Sequence, residues 1–103
     1  MRMGVVGMSK TLAREVGKDN ILINVIGPGR IGTARIESLN KMRADKAGIS
    51  VSDYEKEDLK KFPMARYGTI DEYGRLATWL CSEANTYVSG QTILLDGAMT
   101  TAY

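Results

Sequence analysis

Apolar residues recur near the start of the chain at Val5, Met8, Leu12 and Val16, every three or four positions, which places them on one stripe of a helix. The spacing predicts a helix from about Met3 to Val16, stopped by Gly17, with Lys18-Asp19-Asn20 as a polar turn. Gly4 and Gly7 weaken that helix, and their missing side chains predict the close approach of another helix or backbone. The pattern then changes. Ile21-Leu22-Ile23-Asn24-Val25-Ile26 is nearly continuous in apolar and β-branched residues, as a strand buried on both sheet faces requires. Gly27-Pro28-Gly29 ends the predicted strand, because a prolyl nitrogen cannot donate to a sheet ladder.

Beyond this loop, Thr33 is placed to cap a helix running to about Asp45, with Ile36, Leu39 and Met42 inward and Gly48 closing the region. Ser52 and Glu55 have the spacing of a capping box for a short helix from Asp53 to about Lys61, whose charged content makes it solvent-facing. Phe62-Pro63 breaks the pattern, and Thr69 with Glu72 forms a second capping box. Ile70, Tyr73, Ala77 and Leu80 again follow helical spacing, widened by Leu76 and Trp79. Gly90 precedes a second strand over 91–95, and Asp96-Gly97 closes it, leaving a tail from Ala98 to Tyr103 that reads as a docked or frayed terminus. Helices alternating with buried strands indicate an α/β fold. Two strands are fewer than a parallel sheet needs, so their edges require a cover from elsewhere.

The length of 103 residues bounds the chain to one domain or part of one, and 44% hydrophobic with 25% charged residues is an ordinary globular balance. A net charge of +2 is too small to imply polyanion binding by itself. Lys10, Arg14 and Lys18 share a helix face, but Glu15 and Asp19 lie among them, which favours a solvated face over a functional basic one. With no histidine and one cysteine, neither an ordinary zinc site nor an internal disulfide is available. Cys81, within an apolar run, reads as a buried small hydrophobe rather than a nucleophile. The absence of a long apolar run or a secretory signal pattern leads to the expectation of a cytoplasmic protein, with no membrane and no nucleic-acid partner.

Candidate chemistry centres on Gly27-Pro28-Gly29-Arg30-Ile31-Gly32-Thr33, a loop leaving the carboxyl end of a strand, where open α/β sheets bind ligands. Its glycines can expose backbone amides, Thr33 offers a hydroxyl at a helix start, and Arg30 can meet an anion. A purely structural turn is the competing reading. The loop is not a P-loop, because no Gly-Lys-Ser or Gly-Lys-Thr follows at the required spacing. Tyr54, Tyr67, Tyr73, Tyr87 and Tyr103 are candidate acids, but none has a lysine placed to lower its pKa.

Several ordered motifs resemble those of short-chain dehydrogenases/reductases. They are Ser9-Lys10-Thr11-Leu12-Ala13-Arg14-Glu15, then the run Ile21 to Thr33, Pro63-Met64-Ala65-Arg66-Tyr67-Gly68 with Asp71-Glu72, Leu80-Cys81-Ser82-Glu83, and Tyr87-Val88-Ser89-Gly90-Gln91 ahead of Leu95-Asp96-Gly97. Each is weak alone; their order and spacing cover nearly the whole chain. The resemblance implies the carboxyl-terminal portion of a partial Rossmann-like three-layer α/β fold, with 21–26 and 91–95 as the last two strands of a seven-stranded parallel sheet. It treats 1–103 as a single partial domain and 34–61 as a substrate-side lid. It places Pro28, Gly29, Ile31 and Thr33 beside an NAD or NADP nicotinamide, with Ile31 offering backbone groups to the carboxamide and Thr33 a hydroxyl. The region from Ile70 to Ser82 and the terminal strand would contribute to subunit contacts.

The resemblance also implies what this sequence lacks. The family's glycine-rich fingerprint, Asn-Ala-Gly segment, catalytic serine and Tyr-x-x-x-Lys pair would all precede Met1, with Arg2 at or near the lysine position. No catalytic residue is therefore assigned. An arginine keeps the charge but cannot act as a titratable relay near neutral pH. The expected function is the carboxyl-terminal part of an NAD(P)-dependent oxidoreductase, inactive alone and binding no cofactor alone. The alternative is a noncatalytic self-association module. The expected partners are further copies of the chain or a missing amino-terminal half.

Overall fold

The computed structural model describes residues 2–101, apart from the side chain of Arg2. The residue proposed for the catalytic lysine position, Arg2, is thus described only in its backbone, and Tyr103 lies outside the described residues. The elements are α1 (Arg2–Val16), β1 (Val25–Pro28), α2 (Ala34–Ala47), α3 (Val51–Leu59), α4 (Ile70–Cys81) and β2 (Thr92–Leu95). The two strands pair in one sheet. Regularly offset bonds, Val25 N–H to Gln91 O at 2.9 Å and Gly29 N–H to Leu95 O at 2.9 Å, give the parallel register. The fold is α/β, as the alternation predicts. Residues group into two compact units, one of 1–27 with 74–94, the other of 28–73 with 95–103.

In the first unit, α1 follows its predicted span, but its ending differs. A short 3-10 turn continues from Gly17 to Asp19, and Asn20 takes the left-handed conformation at φ 59°, its N–H bonding Gly17 O. Asparagine tolerates this region better than most residues. The predicted apolar stripe is exposed, at 47% for Val5, 63% for Met8 and 41% for Leu12, whereas Ala13 is buried. A Cβ added at Gly4 or Gly7 would meet nothing within 4 Å among the described residues, and none of these makes the close approach expected there.

The first strand is shorter and later than 21–26. Over the earlier residues, side chains share the pairing with the main chain: Gly90 N–H donates to Ile23 O at 2.7 Å, while Ile23 N–H donates to Ser89 Oγ at 3.0 Å and Asn24 Nδ2 donates to Val88 O at 2.8 Å. The Asn24 Oδ1 in turn accepts the Gln91 amide. Pro28 closes β1 from its last position instead of lying beyond it, since its missing N–H costs no ladder bond there. Val25, Ile26 and Gly27 are half-buried instead of buried on both faces. Asn85, only 5% exposed, organises the turn after α4 by donating to Leu80 O and Val88 O and accepting the Val88 amide. Cys81 is exposed, not a buried hydrophobe, because it falls at the carboxyl end of α4, which contains no buried residue.

In the second unit, α2 begins at the predicted Thr33 cap, whose hydroxyl oxygen accepts the Ile36 amide, and ends at Gly48 with φ 70°. Its buried positions are Asn40 and Ala44; Met42, expected inward, is 52% exposed. The cap of α3 is Ser50, bonding the Asp53 amide, and not Ser52. The box at the start of α4 forms as predicted: Glu72 N–H donates to Thr69 Oγ1 and Thr69 N–H donates to Glu72 Oε1, both at 3.0 Å. Ala44 and Phe62 are the buried apolar side chains of this unit among the described residues. Among the described residues no helix is long and apolar enough to cross a membrane.

Candidate functional site

All four predicted cofactor residues, Pro28, Gly29, Ile31 and Thr33, fall in the second unit, on one short path from the end of β1 to the start of α2. The path is held by main-chain bonds. Gly29 bonds Leu95 O, and a Cβ in its place would lie 2.7 Å from both Cα and Cβ of Asp96. Only a residue without a side chain fits that approach. Two residues later, Ile31 forms an isolated parallel bridge with Gly68. The bonds of the bridge are made by its neighbours: Gly68 N–H donates to Arg30 O at 2.9 Å, and Gly32 N–H donates to Gly68 O at 2.8 Å. In this pattern the amide and carbonyl of Ile31 point to the opposite side from Gly68. They are the groups a planar amide can pair with. Thr33 Oγ1 accepts the Ile36 amide, which leaves its proton available to an acceptor outside the helix.

A polar cluster stands beside this path. Asp58, 5% exposed, accepts at one oxygen, Oδ2, from Arg30 Nη1 at 3.1 Å and from the Tyr67 hydroxyl at 2.8 Å. The Tyr67 oxygen accepts from Asn40 Nδ2 at 3.1 Å, and the same nitrogen reaches Glu55 Oε1 at 3.4 Å. Asn40 Oδ1 is buried with no hydrogen-bond partner among the described residues. Phe62 forms the apolar wall, with Tyr67 edge-on at 5.7 Å between centroids and the Arg30 guanidinium carbon 5.6 Å from its ring centre.

Burial, then the bond to the Asp58 carboxylate, raises the Tyr67 pKa above its ordinary value of 10.0. That direction is opposite to what a tyrosine acting as a proton relay near neutral pH requires. Tyr67 is a structural donor here. Next to the cluster, a shallow depression of about 600 Å³ is lined by Gly32, Glu55, Leu59, Tyr67, Gly68 and Ile70, together with Arg66, Thr69 and Asp71. Arg66 donates to both oxygens of Glu72, at 2.7 and 3.0 Å. That bidentate bond, then the Thr69 amide, lowers the Glu72 carboxyl from 4.5 to about 2.

The family model described as enoyl-(acyl carrier protein) reductase matches residues 1–100. The chain belongs to the short-chain dehydrogenase/reductase family. It corresponds to a carboxyl-terminal portion of such proteins and spans about a third of the length of the curated relatives it matches. It is 36% identical over 98 residues to a 3-oxoacyl-acyl-carrier-protein reductase of Chlamydia trachomatis, covering 95% of this chain and 35% of that protein. A reductase of the same name from Thermotoga maritima is 33% identical over 98 residues, with 95% and 35% covered. Among solved structures it is similar to L-sorbose reductase of Gluconobacter frateurii complexed with NADPH and L-sorbose, at TM-score 0.88 and 32% identity, covering 98% of this chain and 39% of that one. A short-chain dehydrogenase family protein of Francisella tularensis gives TM-score 0.88 at 29% identity, with 96% and 41% covered.

The structure brings the four predicted loop residues together in sequence order, but it also gathers Asn40, Asp58 and Tyr67, which the sequence did not mark as a group. Asp58 sits in the charged stretch Tyr54 to Asp58 that reads as solvent-facing. Its burial and its partners, 28 and 9 residues away in the chain, leave no local signal.

Proposed function

We propose that this chain is the carboxyl-terminal part of an NAD(P)-dependent oxidoreductase and contributes the nicotinamide-facing loop and the substrate-side lid. The observation that carries the reading is the Ile31–Gly68 bridge, which turns the main-chain N–H and C=O of Ile31 away from the segment that holds it. Those two groups would pair with the cofactor carboxamide. Thr33 would donate its hydroxyl proton to an oxygen of the adjoining phosphate while its own oxygen keeps the start of α2 in place. Gly29 lets the backbone pass close to Asp96, and Pro28 fixes the exit of β1. The segment 34–61, carrying α2 and α3, would close over the substrate. When bound, NAD(P) supplies or accepts the hydride.

The names of relatives do not carry a substrate over. One description names an enoyl and others a 3-oxoacyl group on acyl carrier protein, while a structural neighbour binds L-sorbose. The proposal therefore stops at the reaction class.

The chain contains no Tyr-x-x-x-Lys pair, and the reading gives it no turnover of its own. The test is NADH and NADPH consumption by the purified chain with carbonyl substrates, alongside cofactor titration by fluorescence. No turnover and no saturable binding are expected alone, with both appearing once the preceding portion of the fold is supplied. Turnover by the pure chain refutes the reading.

A second reading, a self-associating module without catalysis, is favoured by the exposed Val5, Met8 and Leu12 stripe of α1. Light scattering separates it: a stable monomer counts against self-association.

A further inference from the structure

A buried carboxylate is an expensive way to hold two segments together. Removing Asp58 from water costs more than a well-packed apolar contact of the same size would, and such pairs add specificity of arrangement more readily than stability. The arrangement specified here is a closed ring. Arg30 accepts the Gly68 amide at its main-chain oxygen; Tyr67, next to Gly68, donates to Asp58 Oδ2; and the same oxygen receives the Arg30 side chain. The loop after β1, the α3 end of the lid and the Tyr67-Gly68 segment are thus closed through one carboxylate oxygen. Asn40 on α2 joins the ring at the Tyr67 oxygen.

We propose that Arg30, Asp58 and Tyr67 are positioning residues that lock the lid segment to the loop 28–33 and fix the outward presentation of Ile31. The role in cofactor orientation rests on the nicotinamide-side reading of that loop; the lock itself does not. In most loop residues a side chain at position 30 is free to vary without moving its neighbours. Here its charge is satisfied at a buried group on α3, while its own carbonyl forms one half of the bridge that orients Ile31. Displacing α3 and displacing the loop become the same event.

Amide hydrogen exchange of the full chain, without cofactor, tests this. The Gly32 and Gly68 amides report the bridge, those of Tyr54 to Leu59 report α3, and α1 serves as an internal reference. Tyr67→Phe deletes one hydroxyl, and with it the charge-assisted bond to Asp58 and the bond accepted from Asn40; exchange at Gly32, Gly68 and α3 is expected to speed up about tenfold together, with α1 unchanged. Arg30→Met strands the buried carboxylate and is expected to give a larger effect, of the order of a hundredfold. Arg30→Lys is expected to restore protection, because the observed ion pair uses a single nitrogen. A merely structural role for the ion pair in docking α3 would deprotect α3 and leave Gly32 and Gly68 as they were, and that result overturns the proposal. So does a lack of protection at Gly32 and Gly68 in the unsubstituted chain. If Arg30→Met does not fold, Tyr67→Phe and Arg30→Lys decide alone. Coupled exchange in a chain whose assembled enzyme binds no NAD(P) would sustain the lock and remove only the cofactor reading.

Discussion

The same chemical change, a single added methyl group, is expected to have opposite effects at two glycines. At Gly29 an alanine Cβ would sit 2.7 Å from two carbon atoms of Asp96, against an ordinary carbon–carbon contact of about 3.5–4.0 Å. Relief requires the backbones to separate by roughly 1 Å, which breaks the 2.9 Å bond from Gly29 N–H to Leu95 O. Overpacking costs about 1–3 kcal/mol and loss of the main-chain bond about 1 kcal/mol, so Gly29→Ala should destabilise by about 2–4 kcal/mol. At Gly7, within α1, the added Cβ meets nothing within 4 Å, and the gain in helix propensity should stabilise by about 0.5–1 kcal/mol. Urea denaturation followed by far-ultraviolet circular dichroism measures both against the parent chain. A Gly29→Ala variant within about 0.5 kcal/mol of the parent, or two shifts of the same sign, would refute the reasoning.

Other outcomes follow from individual contacts. Asn85→Ala removes three bonds from a buried side chain and strands the Val88 amide, so a loss of about 2–3 kcal/mol is expected in the same denaturation assay, with Asn85→Asp intermediate. Because the Glu72 carboxyl is depressed from 4.5 to about 2, its contribution at the start of α4 is complete above pH 4.5 and disappears as pH falls through about 2. Carbon-13 titration of Glu72 checks this, and Arg66→Met should move the midpoint back toward 4.5. For Tyr67, raised by burial and by Asp58, the stabilising neutral form holds below pH 10 and is lost as pH climbs through the higher folded value. Tyrosine-resolved NMR should find Tyr67 ionising above the ordinary value of 10.0, and a midpoint at or below that value would contradict the burial argument.

Local hydrogen-bonding rules were reliable where the answer depended on residues three apart. The Thr33 cap and the Thr69–Glu72 box are both readable from sequence, because donor and acceptor belong to the same turn. The same rule picked Ser52 wrongly, because Ser50 is also followed three residues later by an acid and is the residue that caps α3. Tertiary structure made the choice: Glu55, the partner Ser52 would need, faces Asn40 on α2 instead. The α1 stripe shows a related limit. Periodicity identifies an apolar face at Val5, Met8 and Leu12, but it carries no information about what covers that face.

The sequence by itself determined the alternation of helices and strands, the family, and the loop on which Pro28, Gly29, Ile31 and Thr33 lie. The alternation and the loop depend on composition and spacing within a few residues, the family on the resemblance of motifs in order along nearly the whole chain. Only the tertiary structure decided that Asp58 is buried, that Arg30 and Tyr67 converge on one of its oxygens, and that Ile31 is held with its main-chain groups turned outward. The reason is desolvation. A charged residue in a charged stretch looks solvated until distant segments surround it, and no periodicity records which distant segments will do so.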